Sequence, residues 1–249
     1  MYFLGIEASP ETNPAPRHPD VWIIVPAFEE SSVIGTVIAD VRSVFDNVVC
    51  VDDGSTDDTA ATARRAGAHV VRHPVNLGQG AAIQTGVEFA RNQPDARIFA
   101  TFDADGQHRV ADAARMVERL ATEDLDIIIG TRFGATPATT HAKAQIPVLK
   151  RIVLRTAVRL SPRIRRLGLS DAHNGLRVFN RKVAYGLDIT MNGMSHAGEF
   201  IALIGENRWR VGEEPIEVLY TDYSKAKGQP LLNGVNIMFD GLLRKRMSR

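Results

Sequence analysis

Two carboxylates placed two residues apart are the chemically most informative feature of this chain. Asp103 and Asp105 follow the apolar run 98–102, so a buried strand is expected to end by projecting both side chains into the next loop. Mg²⁺ and Mn²⁺ prefer oxygen ligands, and proteins often hold such ions through one or two carboxylates together with the phosphates of a substrate. A cation held in this way stabilises a diphosphate as it leaves. On these two residues alone, helix capping is an equally good explanation.

Two more polar clusters follow apolar runs earlier in the chain. The run 21–25 ends at Pro26. The run 48–51 leads into Asp52 and Asp53. Helical segments separate the runs, which predicts right-handed crossovers and a parallel sheet with strands at 21–25, 48–51, 68–71, 98–102 and 126–130. Because ligands of open α/β sheets bind beyond the carboxyl ends of the strands, the three clusters are expected to converge on one crevice.

The composition is that of an ordinary globular α/β protein. Of the 249 residues, 44% are apolar and 24% are charged. The single cysteine, Cys50, excludes an internal disulfide, which suits a reducing compartment. No apolar run is long enough to span a bilayer, and residues 1–4 lack the basic start of a signal peptide. These observations predict a cytoplasmic protein with a loose lead-in at 1–20, a main domain at 21–230 and a basic, amphipathic tail at 231–249.

Charge is distributed unevenly along the chain. The net charge is +1, but residues 141–182 contain eleven Lys and Arg against one acid, so this segment carries +10 and the remainder −9. A second basic cluster occupies 244–249. Such patches attract phosphates, anionic membranes or nucleic acid. No aromatic residues interleave the arginines as stacking platforms, so we expect no nucleic-acid partner.

Five segments resemble, in chain order, the motifs of family 2 glycosyltransferases, most closely those of the polyprenyl-phosphate (dolichol-phosphate) mannose and glucose synthase branch: VPAFEE at 25–30, VDDGSTD at 51–57, NLGQGAA at 76–82, DADGQH at 103–108 and GTRF at 130–133. The resemblance covers about residues 21–227. It implies the GT-A fold, an α/β, Rossmann-like, mostly parallel sheet flanked by helices with a C-terminal acceptor-side extension. The main domain would then comprise a nucleotide-sugar-binding half (21–133) and an acceptor half (134–230). The implied reaction is an inverting hexose transfer from a nucleotide-sugar of the GDP-mannose or UDP-glucose type, with Mg²⁺ or Mn²⁺.

The resemblance also assigns roles to individual residues. The metal ligands are expected to be Asp103, Asp105 and Gln107. The donor-binding residues are expected to be Pro26, Ala27, Phe28, Glu29, Asp52, Asp53, Gly78, Asp103, Ala104, Asp105, Gln107, Arg132, Lys225 and Lys227. The residue types allow other interpretations, because Glu29 is also placed to be an N-terminal helix acid and Asp52 to cap a turn. The loop with Lys225 and Lys227 is equally readable as a solvated basic surface.

The acceptor side is predicted from the second half of the chain. The segment 170–177 resembles the family's Asp-x-x-x-Gly-x-Arg/Lys motif, which places three residues near the acceptor: Asp171, Asn174 and Arg177. Arg151 joins them from the basic helical segment 146–160. This segment is either a solvated helix face or a docking surface for a polyprenyl phosphate or an anionic membrane. The expected catalytic residues are Asp105, Arg132, Asp171 and Glu199.

Glu199 has a role under only one of two acceptor hypotheses. It opens an apolar helical run at about the place where other family 2 enzymes carry the acid that deprotonates the acceptor. A base is needed when a sugar hydroxyl attacks, whereas a phosphate anion is already a nucleophile. A first-turn helix acid is the alternative interpretation.

The resulting hypothesis is a metal-dependent, inverting glycosyltransferase acting on polyprenyl phosphate or a lipid-linked glycan in cell-envelope polysaccharide or glycolipid synthesis. The sequence ends without the transmembrane helices that some polyprenyl-phosphate synthases carry. This leaves open peripheral membrane attachment, a separate membrane partner, a soluble acceptor and a homo-oligomer. Two other functions also remain. A sugar nucleotidyltransferase should carry a Gly-rich loop with a basic residue after the first strand, and a nucleotide-sugar-binding module would bind the donor without turnover.

Overall fold

The computed structural model describes residues 18–133, 164, 166–171, 174–191 and 195–219. The predictions for the lead-in before residue 18, for Arg151 and its basic segment, for Lys225 and Lys227, and for the C-terminal tail lie outside these residues. Within the part of the chain that is described, no helix combines the length and apolar content needed to cross a membrane.

In the described ranges, seven strands form one mixed sheet, which confirms the predicted fold class. The strands are β1 (Val21–Ala27), β2 (Asn47–Asp52), β3 (His69–Arg72), β4 (Ile98–Thr101), β5 (Ile127–Thr131), β6 (Arg177–Asn180) and β7 (Val211–Pro215). Their order across the sheet is β3-β2-β1-β4-β6-β5-β7. All neighbours are parallel except β6, which runs antiparallel to both β4 and β5. Strands from both predicted halves of the main domain therefore share one sheet.

Helices cover both faces of this sheet. They are α1 (Ile34–Arg42), α2 (Thr59–Arg65), α3 (Gln79–Arg91), α4 (Val110–Thr122), α5 (Arg181–Gly186) and α6 (Ser195–Glu206). Successive residues of β1 alternate between two cores. Ile23 and Val25 pack with α1, α2 and α4, whereas Trp22 and Ile24 pack with α3, α5 and α6. Burial on both faces explains why the parallel strands read as continuous apolar runs.

Strand β1 extends further than its sequence predicts, because Pro26 does not end it. Pro26 pairs in register with Val51 of β2, and the strand continues to Ala27. Pairing with β4 ends at Ile24, whose carbonyl accepts the Phe102 N–H. Since alternate residues of a strand direct their N–H groups to opposite neighbours, Pro26 faces the side on which the ladder has already ended. The missing N–H of proline therefore costs no ladder bond there.

Strand β6 is one of the elements that the sequence did not reveal. Its four residues begin with Arg177 and end with Asn180, so it has neither an apolar run nor a clear alternation. It nevertheless lies between β4 and β5. This position brings the chain just before β6 to the loop after β4, where the two aspartates lie.

Candidate active site

The carboxylate pair, Asp103 and Asp105, lies in the loop directly after β4. Asp103 Oδ2 is 3.0 Å from His108 Nε2, and its Oδ1 accepts a hydrogen bond of 3.2 Å from Gln79 Nε2 at the start of α3. His108 is buried and packs edge-on against Phe102. Asp103 is therefore held from two sides, and its side chain is still 30% exposed.

The two carboxylates differ in their affinity for protons. Burial, followed by the nearby charge of Asp103, raises the pKa of Asp105 to about 6. Burial acts in the same direction on Asp103, but the hydrogen bond and charge of His108, together with the charges of Arg177 and His196, outweigh it and lower the pKa of Asp103. The pair thus concentrates negative charge in a confined place, and a bound divalent cation would relieve that repulsion.

The carboxylate oxygens of Asp103 and Asp105 suit a hard cation whose other coordination positions are filled by further ligands. Within the described ranges, no three His, Cys, Asp or Glu side chains are arranged to hold a metal ion. A cation on Asp103 and Asp105 would therefore need oxygen atoms from the Gln107 side chain, water or a substrate's phosphates. This is the usual way in which Mg²⁺ is bound. The main chain of Gln107 already supports the loop, because its N–H donates to Asp105 Oδ1 at 3.0 Å.

Gly175 is packed directly against Asp103 of the carboxylate pair. A Cβ atom at this position would lie 2.1 Å from Asp103 Oδ2. The carbonyl of Gly175 accepts a 2.6 Å hydrogen bond from Thr101 Oγ1, which ties the segment to β4. Asn174 is buried, and its Oδ1 accepts the Leu176 N–H at 2.9 Å. The predicted acceptor segment is thus brought to the carboxylate pair, and only glycine leaves room for it.

Arg132 and Asp171, both predicted for catalysis, form a bidentate ion pair. Arg132 Nε and Nη2 donate to the two carboxylate oxygens of Asp171 at 2.6 and 2.8 Å. Asp171 is buried and is positioned by Glu213 of β7, which accepts the N–H groups of Ser170 and Asp171 at 2.7 and 3.0 Å. No motif in the sequence marks Glu213, because its partner Asp171 lies 42 residues away.

On the predicted nucleoside side, Glu29 joins the loops after β1 and β2. Its Oε1 accepts both the N–H and the hydroxyl of Thr56 at 2.8 and 2.9 Å, while its own N–H donates to Ser55 Oγ. Glu29 has a φ of 56°, which is uncommon for a residue other than glycine. Next to it, Phe28 is 42% exposed. These contacts fix the rim at which the nucleoside was predicted to bind.

Asp52 and Asp53 are buried and hold the loops that border this rim. Asp52 Oδ1 accepts the Ser55 N–H at 3.0 Å, and its Oδ2 lies 3.1 Å from Arg72 Nε. Asp53 accepts the N–H groups of Leu77 and Gly78 at 2.9 and 2.7 Å. These described contacts support a loop-shaping role, and direct contact with the base or ribose stays a prediction.

The turn at Gly78 depends on its glycine and on His73, which the sequence analysis missed. Gly78 has a φ of 94°, a conformation that other residues adopt only with strain. His73 Nδ1 lies 2.7 Å from Asp53 Oδ1, and its Nε2 lies 3.0 Å from Thr85 Oγ1. The buried Asp53–His73 contact thus anchors the turn from which α3 presents Gln79 to Asp103.

Glu199 lies on α6 and forms hydrogen bonds with the chain segment that precedes this helix. Its carboxylate accepts the N–H and hydroxyl of Thr190 and the N–H of Met191, at distances from 2.7 to 3.1 Å. Among the described contacts, none joins Glu199 to the carboxylate pair. In the first turn of α6, buried His196 acts on Asp103 through its charge. His196 was not among the residues predicted for the site.

Comparison with known proteins identifies a family and several relatives. The family model described as Glycosyl transferase family 2 matches residues 22–187 of this chain. An uncharacterized protein of Methanocaldococcus jannaschii is 31% identical over 91% of this chain and 92% of its own length. The UDP-N-acetylglucosamine–dolichyl-phosphate N-acetylglucosaminyltransferase of Methanococcus voltae is 25% identical over 90% of this chain and 96% of its own.

A second named relative and a solved structure complete the comparison. The dolichyl-phosphate hexose transferase of Haloferax volcanii is 26% identical over 79% of this chain and 82% of its own. Glucosyl-3-phosphoglycerate synthase from Mycobacterium tuberculosis, crystallised with Mn²⁺ and UDP-glucose, superposes with a TM-score of 0.61 at 19% identity. That match covers 86% of this chain and 73% of the other, and at this identity it shows a shared fold.

Proposed function

The chain belongs to glycosyl transferase family 2, and from that premise we propose that it moves a hexose from a nucleotide-sugar to a polyprenyl phosphate. The proposed transfer inverts the anomeric centre and uses Mg²⁺ or Mn²⁺. Because the chain matches this family, we no longer pursue the hypothesis of a sugar nucleotidyltransferase. A binding module without turnover remains the competing hypothesis, and a lipid-linked glycan is the alternative acceptor.

The carboxylate pair is the observation that carries this proposal. Asp103 is held by His108 and Gln79, while burial and the charge of Asp103 raise the pKa of Asp105 to about 6. Two acids forced together in this way favour a divalent cation over the metal-free state. The cation would balance the charge of the diphosphate as it leaves.

The proposed mechanism is a direct displacement. An acceptor oxygen forms a bond to the anomeric carbon, and on the opposite face the bond to the nucleoside diphosphate breaks, with its electron pair leaving on the diphosphate oxygen. Asp103 and Asp105 would hold the cation, with Gln107 as the further ligand, and the cation would supply the positive charge that binds the donor diphosphate. Arg132, oriented by Asp171, would bind a phosphate of the donor, because a guanidinium matches its geometry.

A phosphate acceptor is favoured by two independent observations. Two relatives are named for transfer to dolichyl phosphate. The described hydrogen bonds of Glu199 go to Thr190 and Met191, and none of them joins it to the carboxylate pair. A phosphate anion attacks without a base. The basic segment 141–182 would support peripheral attachment to an anionic, cytoplasmic membrane face.

A donor titration tests the proposal most directly. GDP-mannose, UDP-glucose, UDP-galactose and UDP-N-acetylglucosamine are each titrated calorimetrically in Mn²⁺ and again in EDTA. We expect one donor to bind in Mn²⁺ and at least tenfold more weakly in EDTA, because the diphosphate would lose its counter-charge. Turnover of that donor with a polyprenyl phosphate then separates an enzyme from a binding module. Equal affinity in Mn²⁺ and EDTA would contradict the metal assignment.

Glu199→Gln distinguishes the two acceptor classes. With polyprenyl phosphate as acceptor, kcat is expected to remain within about fivefold of the wild-type value, since no proton has to be removed from the nucleophile. Glutamine keeps one carbonyl oxygen for the contacts with Thr190, so the fold is expected to persist. Steady-state kinetics and a thermal melt measure both effects. A loss of about 100-fold or more in a folded variant would instead indicate a hydroxyl acceptor.

A further inference from the structure

Residues 216–219, here called the strap, follow β7 and pair with the loop that carries the carboxylate pair. The N–H of Leu219 donates to the carbonyl oxygen of Gln107 at 2.8 Å, and Val218 forms an antiparallel bridge with His108. The side chains of Ile216 and Val218 are buried in the core. The strap is therefore fixed to the core by its apolar side chains and to residues 107 and 108 by its main chain.

The two residues that pair with the strap also contact the carboxylate pair. The N–H of Gln107 donates to Asp105 Oδ1 at 3.0 Å, and His108 Nε2 lies 3.0 Å from Asp103 Oδ2. Gln107 and His108 thus each have one link to the strap and one link to an aspartate. A displacement of the strap is transmitted through them to both aspartates and to the side chain of Gln107.

Asp112, in the first turn of α4, holds the strap from the helix. It is only 2% exposed, and its Oδ2 accepts the N–H of Glu217 at 2.9 Å. Its Oδ1 accepts a hydrogen bond of 2.6 Å from Arg115 Nη2, so the buried charge is paired. The ion pair between Arg109 and Glu217 also joins the strap to this region, but both side chains are partly exposed, and such pairs contribute little.

We propose that Asp112 is a positioning residue for the metal site. Asp112 fixes the strap against α4, the strap fixes residues 107 and 108, and these two residues hold Asp103 and Asp105 in place. The inference rests on the proposed function and assigns part of the cation affinity to an acid outside the loop that binds the cation. Residues that orient metal ligands typically contribute 10- to 100-fold to metal affinity.

Two substitutions of Asp112 separate positioning from charge. Asp112→Ala removes the acceptor of the Glu217 N–H, whereas Asp112→Asn loses the charge and keeps a carbonyl oxygen for it. Calorimetric titration with Mn²⁺–UDP, in the cold and well below the unfolding midpoint, is expected to show about tenfold weaker binding to Asp112→Ala. Asp112→Asn should stay within about threefold of the wild-type protein. In EDTA the difference in UDP binding should disappear, because the strap acts through the ligands of the cation.

Amide hydrogen exchange tests the same positioning without metal. The N–H groups of Glu217 and Leu219 are hydrogen-bonded in the structure and should exchange slowly in the wild-type protein. Asp112→Ala should accelerate exchange at both positions and leave the amides of β1 unchanged, and Asp112→Asn should restore slow exchange. A purely structural role would lower the thermal midpoint of Asp112→Ala while the folded protein kept its affinity for Mn²⁺–UDP.

Leu219→Pro tests the strap directly and replaces Asp112→Ala if that variant does not fold. Proline removes the N–H that Gln107 accepts, and the extended conformation of Val218 in its bridge suits a residue before proline. We expect Leu219→Pro to bind Mn²⁺–UDP about tenfold more weakly. Leu219→Ala keeps the N–H and is the matched control, which should stay within about threefold of the wild-type affinity.

The outcomes separate this inference from the proposed function. Wild-type affinity for Mn²⁺–UDP in folded Asp112→Ala or Leu219→Pro would overturn the positioning role and leave the proposed function standing. Slow exchange at Glu217 and Leu219 in Asp112→Ala would also overturn it, since Asp112 would not then hold the strap. If the wild-type protein binds neither Mn²⁺–UDP nor another nucleotide donor, the proposed function fails and the positioning role fails with it.

Discussion

Asp105→Asn is expected to stabilise the metal-free protein at neutral pH and to abolish Mn²⁺-dependent donor binding. Burial and the charge of Asp103 raise the pKa of Asp105 from 3.8 to about 6. Each unit of such a shift corresponds to about 1.4 kcal/mol, so ionising Asp105 costs the folded state up to about 3 kcal/mol. Partial solvent exposure reduces this to about 1–3 kcal/mol.

The sign of the pH dependence follows from linkage. A carboxyl whose pKa is higher in the folded than in the unfolded state retains its proton longer when folded, so wild-type stability falls as pH rises from about 4 to about 6. The gain from Asp105→Asn should therefore be complete above pH 6 and vanish below pH 4. Urea unfolding in EDTA at pH 4 and pH 7.5 measures it.

Metal addition supplies the second half of this experiment. Mn²⁺ should raise the unfolding midpoint of the wild-type protein at pH 7.5 and leave that of Asp105→Asn unchanged, because binding to the native state alone stabilises it. Asp95→Asn, on the exposed loop before β4, is a matched control that should behave like the wild-type protein. Equal unfolding midpoints for Asp105→Asn and wild type in EDTA at pH 7.5 would refute the raised pKa of Asp105. Retained Mn²⁺ binding by Asp105→Asn would refute the assignment of Asp105 as a metal ligand.

The sequence predicted the fold wherever local pattern and tertiary environment agree. Strands β1 and β2 are buried on both faces, and their runs of apolar residues show it directly. Strand β6 gives no such signal, because its identity as a strand depends on the gap between β4 and β5 that it fills. The end of β1 was misplaced for a related reason. Whether Pro26 breaks a strand depends on which neighbour its missing N–H would have faced.

In the candidate site, motifs predicted which residues lie there, whereas only their contacts indicate what each residue does. The spacing of Asp103 and Asp105 predicted the carboxylate pair, but it does not tell a ligand-binding acid from one that holds a loop. Asp53 has the same residue type at a similar strand end, and its described contacts go to main-chain N–H groups and His73. Glu213 shows the converse, because it positions Asp171 from an edge strand with no motif to mark it.

Gly175→Ala is expected to disrupt the metal site while leaving the fold intact. The added Cβ would lie 2.1 Å from Asp103 Oδ2, well inside van der Waals contact. Main-chain movement is opposed by the hydrogen bond from Thr101 Oγ1 to the Gly175 carbonyl. The carboxylate of Asp103 is therefore expected to give way, losing its alignment with His108 and Gln79. A misplacement of about 1 Å in an active site costs about 100-fold in rate.

Calorimetric titration with Mn²⁺–UDP, kcat/KM and a thermal melt measure this effect together. We expect a loss of about 100-fold in kcat/KM and weaker Mn²⁺–UDP binding, with the cooperative melt retained. Gly198→Ala is the matched control. A Cβ at Gly198 in α6 has no neighbour within 4 Å, and alanine favours a helix over glycine. If Gly175→Ala binds Mn²⁺–UDP as tightly as Gly198→Ala, Asp103 does not need its observed position, and the metal site must be sought among other oxygen atoms of the crevice.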